Sequence, residues 1–377
     1  MAVDVKISGG RVIDPVRGVD GIEDVYIREG KIIPAEEGSA ALEINASGCV
    51  VTPGLVDFHA HVFNAASDLC VGADSTCLPS GVTAVVDPGS AGTANMKALM
   101  ASMLVQNVRF KAFMHICPTG LGTTQFHEEV KPETWDRPKM VRFMEEYEQV
   151  LLGFKVRLSK ELVGDKGEAI LGEALAMAET CNVPVCVHTT NPAIPVERLL
   201  GMLRPGDIYC HVFHGKGETI CENGRVRTCV TEARKRGIIF DAANGSNHFA
   251  FAVAEAALAD GFFPDVISTD ITVKTLWKEP VHSLPYTLSK YLAMGSDLPS
   301  VIASATKVPA KLMGMEGRIG TLTPGALGDV GIFRLEDGAV TFKDTAGESR
   351  KGSKLLVPVA TFVGGTLMYR DMRNLQV

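Results

Sequence analysis

Two histidines separated by one residue, His59 and His61, follow an apolar run that begins at Leu55. Side chains two residues apart on an extended strand point to the same face, so both imidazoles are expected to point the same way. A metal site requires this arrangement, but a lone His-x-His motif is more often a pair of polar residues at a strand end. The rest of the chain must therefore supply further ligands if a metal binds here.

Other side chains able to bind a metal interrupt apolar runs later in the chain. They are Lys155 in LLGFKVRLS, His188 in VPVCVHTT, His211 in DIYCHVFHG and Asp270 in DVISTDIT. Each lies toward the carboxyl end of its run. If the runs are parallel barrel strands, these ends meet at one rim, which is where such barrels carry their active sites. The sequence thus predicts a cluster of nitrogen and oxygen donors at one rim.

The runs that carry these residues alternate with helical patterns, which is typical of βα units. Eight such runs occur, at 54–61, 81–89, 108–117, 151–159, 183–190, 207–215, 237–245 and 265–272. Segments between them, such as 93–107, are rich in good helix formers. We therefore predict an α/β fold, a (β/α)8 TIM barrel over residues 53–316. A doubly wound open sheet is the alternative, but no Gly-x-Gly-x-x-Gly follows any of these runs.

Both ends of the chain have a different pattern. Residues 1–52 and 317–377 contain short alternating runs separated by Gly and Asp, which indicate strands and turns. The fold prediction therefore adds a small β-sandwich domain built from both termini, which accompanies the barrel.

Composition and charge restrict the partners. The formal net charge is −7 without a Lys/Arg cluster, so nucleic acid and anionic membrane surfaces are not expected partners. No apolar run reaches the ~18 residues that a membrane span needs. The first residues, MAVDVKISGG, do not resemble a signal peptide, and the nine cysteines are scattered without a Cys-x-x-Cys pair. These observations favour reduced thiols and a cytoplasmic location.

Lys155 is unexpected, because a charged amine inside a buried strand is costly. It could pair with a carboxylate, or extend its amine toward solvent. It could also react with CO2, which would convert a cation into an anionic carbamate with two oxygens able to bridge two metal ions. The spacing itself does not show this modification, but the surrounding His and Asp residues are consistent with it.

Three segments carry a family resemblance that covers nearly the whole chain: GGRVIDP, VTPGLVDFHAH and GRIGTLTPGALGDV. The chain resembles the amidohydrolase superfamily, in its binuclear, dihydroorotase- and hydantoinase-like division. The resemblance implies two divalent metal ions. One would be held by His59, His61 and Asp270, the other by His188 and His211, and carbamylated Lys155 would bridge them. Nitrogen and oxygen donors favour Zn²⁺ as the metal.

The resemblance also implies a reaction. A hydroxide that bridges the metals would attack an acyl carbon, and Asp270 would move the proton to the leaving group. Relatives commonly self-associate, so a homo-oligomer is a further expectation.

Departures from two branches narrow the substrate class. Dihydroorotases usually carry an Arg two residues after the His-x-His, where this chain has Phe63. Hydantoinases use a Tyr near the third strand, which FMHICPTG lacks. The segments HAHVF, GADSTCLPSGVTAVVDPGSAG and GFKVRLS are most similar to an amidohydrolase/deacetylase branch. The resemblance implies hydrolysis of an acyl, chiefly acetyl, amide or ester of a small carboxylate-bearing molecule. Cyclic amide hydrolysis is the alternative, and a non-catalytic structural relative is disfavoured because all six ligands are present.

Further rim residues are substrate-binding candidates. Arg157 lies two residues after Lys155 and could hold a substrate carboxylate, or form a structural ion pair. His115, Asn244 and His248 could contact substrate, or bond a neighbouring loop or cap the next helix. His127, in GTTQFHEE, is predicted to lie in a surface loop. Substrate choice is expected to depend on the loops at 63–80, 118–137 and 272–288.

Overall fold

The computed structural model describes residues 3–36, 39–123 and 128–372. The prediction for His127 falls outside these residues. The strands are β1 (Val3–Asp14), β2 (Val19–Arg28), β3 (Lys31–Ile33), β4 (Ala40–Asn45), β5 (Val50–Pro53), β6 (Leu55–Asp57), β7 (Val82–Asp87), β8 (Arg109–His115), β9 (Leu151–Arg157), β10 (Val185–His188), β11 (Ile208–Cys210), β12 (Cys221–Glu222), β13 (Arg225–Val226), β14 (Ile239–Asp241), β15 (Val330–Lys343), β16 (Ser349–Val363) and β17 (Thr366–Arg370).

The helices lie mostly between the central strands. They are α1 (Ala73–Cys77), α2 (Met96–Met103), α3 (Arg137–Glu146), α4 (Lys160–Val163), α5 (Gly167–Cys181), α6 (Val196–Met202), α7 (Thr228–Lys235), α8 (Phe251–Ala259), α9 (Leu284–Ala293), α10 (Leu298–Ala303) and α11 (Lys307–Leu312). None of the helices in the described ranges combines the length and the apolar character that crossing a bilayer demands.

Seven of the eight apolar runs form one parallel sheet, in the order β14-β11-β10-β9-β8-β7-β6. The eighth run does not form a continuous strand, but it makes parallel bridges to both edges of the sheet. Val266 bridges Asp241 at the end of β14, and Ile271 bridges Ala60 just after β6. The run therefore lies between the first and last strands, and the carboxyl ends of all eight segments face the same rim. This parallel α/β sheet supports the barrel prediction.

The barrel strands bury both faces. One buried cluster includes Val56, Ala84, Phe113 and Cys186 from neighbouring strands, together with residues of α11. A larger cluster lies between the sheet and the surrounding helices. Because residues two apart share a face, Cys186 lies directly below His188 on β10. Each polar residue at the rim is thus supported by apolar residues of the same strand.

The two termini build a second sheet together. Its order is β17-β16-β15-β5-β1-β2-β3, and β4 pairs with β1. These strands are hydrogen-bonded as one sheet, and the sandwich arrangement in the sequence prediction is not confirmed. The β15–β16 hairpin also reaches the barrel, where Leu356 N–H donates to Ser289 of α9 and Phe251 N–H donates to Asp344 beside the hairpin turn.

Candidate metal centre

The six predicted metal ligands line one cavity of about 370 Å³ at the rim. They are His59 and His61 after β6, Lys155 in β9, His188 at the end of β10, His211 after β11 and Asp270 in the eighth segment. All six side chains are buried. The structure thus brings together residues that lie up to 211 positions apart in the sequence.

One group of donors surrounds Asp270. Ligand atoms of His59, His211 and Asp270 all lie within 4.8 Å of one another, close enough to contact one cation. The Nε2 atoms of His59 and His61 lie 3.7 and 3.1 Å from Asp270 Oδ1. His59, His61 and Asp270, which the resemblance implies as ligands of one ion, thus lie close together, and His211 lies beside them.

A second group consists of imidazoles alone. Ligand atoms of His188, His211 and His248 also lie within 4.8 Å of one another. The ring centroid of His211 is 4.3 Å from that of His188 and 4.2 Å from that of His248. The sequence predicted His188 and His211 as ligands here and treated His248 as a substrate contact.

Neighbouring groups fix the orientation of three of these rings. His59 Nδ1 lies 3.0 Å from Asp241 Oδ2, and His61 Nδ1 lies 2.7 Å from Ser90 Oγ. His211 Nδ1 lies 2.7 Å from the carbonyl oxygen of Ala243. When Nδ1 is engaged in this way, Nε2 is left for a metal, which is the usual arrangement around metal-binding histidines.

Burial also prepares the imidazoles for a cation. It lowers the pKa of His59, His188 and His211 well below the ordinary value, so these rings are neutral at neutral pH. Neutral imidazole is the form that binds metal. Burial raises the pKa of Asp241 to about 8, although Ser268 donates a hydrogen bond to it. A nearby cation would favour its charged form, and the donor set as a whole fits Zn²⁺.

Two of the ligand candidates have strained backbones. His211 has φ of +62° and Asp270 has φ of +50°, in the left-handed region that few residues other than Gly adopt. Strain of this kind persists only where the surroundings impose it, and it is concentrated at functional sites.

Lys155 contacts two thiols that the sequence analysis did not include. Its Nζ lies 3.6 Å from Cys186 Sγ and 3.8 Å from Cys210 Sγ. Burial lowers the pKa of Lys155, but the electrostatic influence of Cys186 and Cys210 raises it, and the net direction is upward.

Arg157 has a partner within the cavity. Its Nη1 donates to Glu128 Oε1 at 2.5 Å, and both side chains line the cavity. Glu128 is buried, while 28% of the Arg157 side chain remains exposed. The ion pair that the sequence left open as an alternative is present, and a substrate carboxylate would have to compete with Glu128.

The other substrate-binding candidates differ in position. His248 lines the cavity, whereas His115 and Asn244 are not found among the described residues that line it. His115 Nδ1 accepts a hydrogen bond from Cys117 N–H, and Asn244 Oδ1 accepts one from Tyr291. Helix α8 begins at Phe251, after Ala250, so Asn244 does not cap it.

Several residues around the ligands were missed by sequence reasoning. Asp241 ends an apolar run, as the ligand candidates do, and Cys186 shares a strand face with His188, so both had a detectable signal. Glu128 and Thr190 had none, because loop residues far from their partners in sequence carry no periodic pattern.

Comparison with known proteins identifies a family. The family model described as "Amidohydrolase family" matches residues 50–368. A deacetylase of Agrobacterium fabrum is 30% identical over 85% of this chain and 79% of its own length.

Solved structures match over nearly the full length. A structure titled as an adenine deaminase has a TM-score of 0.89 at 26% identity, and covers 98% of this chain and 100% of its own. One titled as a dihydroorotase has a TM-score of 0.88 at 27% identity, covering 97% and 98%. With its rim of imidazoles and carboxylates, the chain belongs to the amidohydrolase family and is a hydrolase that acts on C–N bonds.

Proposed function

We propose that the protein is a metal-dependent hydrolase that removes an acyl group, chiefly acetyl, from an amide or ester of a small carboxylate-bearing molecule. The observation that carries this proposal is the cavity in which six buried ligand candidates lie beside the guanidinium of Arg157. The deacetylase name of the relative at 30% identity agrees with it. In this proposal residues 53–316 form the catalytic barrel, and residues 1–52 with 317–377 form the small domain.

The proposed ligand roles follow the two donor groups. His59, His61 and Asp270 would hold one divalent ion, and His188 and His211 would hold the second. Lys155, carbamylated by CO2, would be a ligand shared by both, and Zn²⁺ is the proposed metal. Ions bound in such sites act as Lewis acids on a carbonyl and lower the pKa of a bound water toward about 7.

Asp270 is proposed as the proton carrier. Its Oδ1 faces His61 and its Oδ2 lies 3.6 Å from His248 Nε2, so the carboxylate lies at the centre of the donor cluster. It accepts the proton of the attacking water and delivers it to the leaving nitrogen or oxygen of the substrate. His59 and His61 hold this carboxylate in place on one side.

The cavity volume of about 370 Å³ fits a small molecule. Arg157 provides a planar donor pair suited to a carboxylate. In the structure, Arg157 donates to the Glu128 carboxylate. A substrate carboxylate would bind Arg157 in place of Glu128. This exchange favours substrates that carry a negative charge at a distance from the scissile bond.

A substrate screen tests the proposal. The protein, with its metal content measured, is incubated with N-acetyl amino acids, O-acetyl α-hydroxy acids and cyclic amides of both stereochemical series, and acetate release or ring opening is followed. We expect acetate release from at least one acetylated carboxylate. Ring opening without any acetate release would replace the proposal by its alternative.

The alternative is cyclic amide hydrolysis, which the structural neighbour titled as a dihydroorotase favours. Against it, the position where dihydroorotases carry their carboxylate-binding Arg is Phe63, which is completely buried here and offers no charged donor. A non-catalytic structural role has no support from a site that keeps all six ligand candidates.

The Arg157–Glu128 pair gives a prediction on substrate charge. Arg157→Met should raise KM for an anionic acetylated substrate by about 10-fold or more, because a hydrogen bond to a charged group contributes about 1.5–3 kcal/mol. Glu128→Gln should lower that KM, since it removes the competing carboxylate. The matched control is the uncharged amide of the same substrate. Equal effects on both substrates would show that Arg157 has only a structural role.

A further inference from the structure

His248 lies closer to the donor cluster than a substrate-binding residue needs to be. It follows β14 in the chain, and only 15% of its side chain is exposed. Its ring centroid lies 4.2 Å from that of His211 and 4.9 Å from that of His188. Its Nε2 faces the Asp270 carboxylate. The side chain therefore points into the group of ligand candidates.

A hydrogen bond on the side of the ring away from the cluster fixes the orientation of His248. Its Nδ1 lies 2.8 Å from Oγ1 of Thr190, a buried residue that follows β10. This contact parallels those of His59 with Asp241 and of His211 with Ala243. In each case Nδ1 is engaged outside the cluster and Nε2 is directed into it, which is how metal-binding histidines are held.

The backbone before His248 is also adapted to this approach. Gly245 has φ of +54°, and a Cβ at that position would lie 2.3 Å from Asp270 Oδ2 and 2.4 Å from His248 Cδ2. Only glycine combines this conformation with such close neighbours. The glycine thus allows the imidazole and the carboxylate to lie side by side.

We propose that His248 is itself a metal ligand, which completes a three-imidazole site with His188 and His211. This inference rests on the proposed function, because it concerns one of the two ions. Three histidines form a sufficient protein ligand set for Zn²⁺. The ion at this site is therefore held even when Lys155 carries no carbamate.

Binding of Co²⁺ to the metal-free, full-length protein tests the proposal, followed by visible absorption. The background variant His61→Asn/Lys155→Gln removes one donor of the other group and any carbamate. We expect it to bind one Co²⁺. Adding His248→Asn should weaken binding on the order of 100-fold, while adding His282→Asn, a histidine outside the cluster, should change it less than about threefold.

Three results would overturn the inference or its basis. Equal Co²⁺ affinity with and without His248→Asn would show that His248 is not a ligand. A background variant that binds no Co²⁺, when the wild-type chain binds two, would show that the three imidazoles are not sufficient. A wild-type chain that binds no divalent ion would instead overturn the proposed function. If His248→Asn does not fold by circular dichroism, Thr190→Val replaces it, with an expected loss of about 10–100-fold.

Discussion

The Asp270→Asn variant is expected to lose most of its turnover, with kcat reduced on the order of 10²–10⁴-fold. The amide is nearly the same size as the carboxylate but does not accept the proton that the leaving group needs. The fold should be retained, because the substitution alters only side-chain contacts with imidazoles of the cluster. The hydrogen bond from the backbone N–H of residue 270 to the carbonyl of His59 is unchanged.

The measurements are kcat on the best acetylated substrate, metal content and a thermal melt. Asp260→Asn is the matched control, because Asp260 pairs with Arg225 away from the cavity, and it should keep wild-type kcat. An Asp270→Asn protein with two bound ions and near wild-type kcat would remove Asp270 from the mechanism.

The second large effect is expected at Lys155. Lys155→Gln should reduce activity by about 10²-fold or more, because both ions lose their shared ligand and misplacement of reacting groups by about 1 Å has effects of this size. In addition, metal-free wild-type protein given Zn²⁺ in CO2-free buffer should regain activity slowly. Bicarbonate should accelerate the recovery, since the proposed carbamate requires CO2.

Two comparisons make this result specific. Lys155→Gln should show no response to bicarbonate, and Lys166→Gln, a change at an exposed lysine, should behave as wild type. Mass spectrometry under native conditions should detect the added CO2 in the wild-type holoprotein alone. Recovery at the same rate with and without bicarbonate would argue against the carbamate.

Much of the fold was predictable because burial on both faces leaves continuous apolar runs in parallel strands. Seven runs became neighbouring strands in sequence order. The eighth departs from a continuous strand for a local reason. Its polar residues bond other strands, as Ser268 does with Asp241 and Thr269 with Asp57, and the backbone turns at Asp270.

The site was predictable where a polar residue interrupts an apolar strand near its end. Lys155 and His188 are recognisable in this way. Pairings between distant residues were not, since His59 and Asp241 are 182 positions apart and no local pattern links them. The same holds for Glu128 and Arg157, whose contact depends on how a loop packs over the rim.

The hairpin formed by β15 and β16 has a consequence for the order in which the protein matures on the ribosome. Thr345, beside the turn of this hairpin, donates to the carbonyl of Phe249, the residue after His248. Phe249 is translated 96 residues before Thr345. At roughly 5–20 residues per second, the hairpin emerges about 5–20 s after the loop that it fastens. The loop that carries His248 is therefore synthesised before the segment that fastens it. The proposed metal site around His248 can therefore reach its final form only after synthesis of the C-terminal segment.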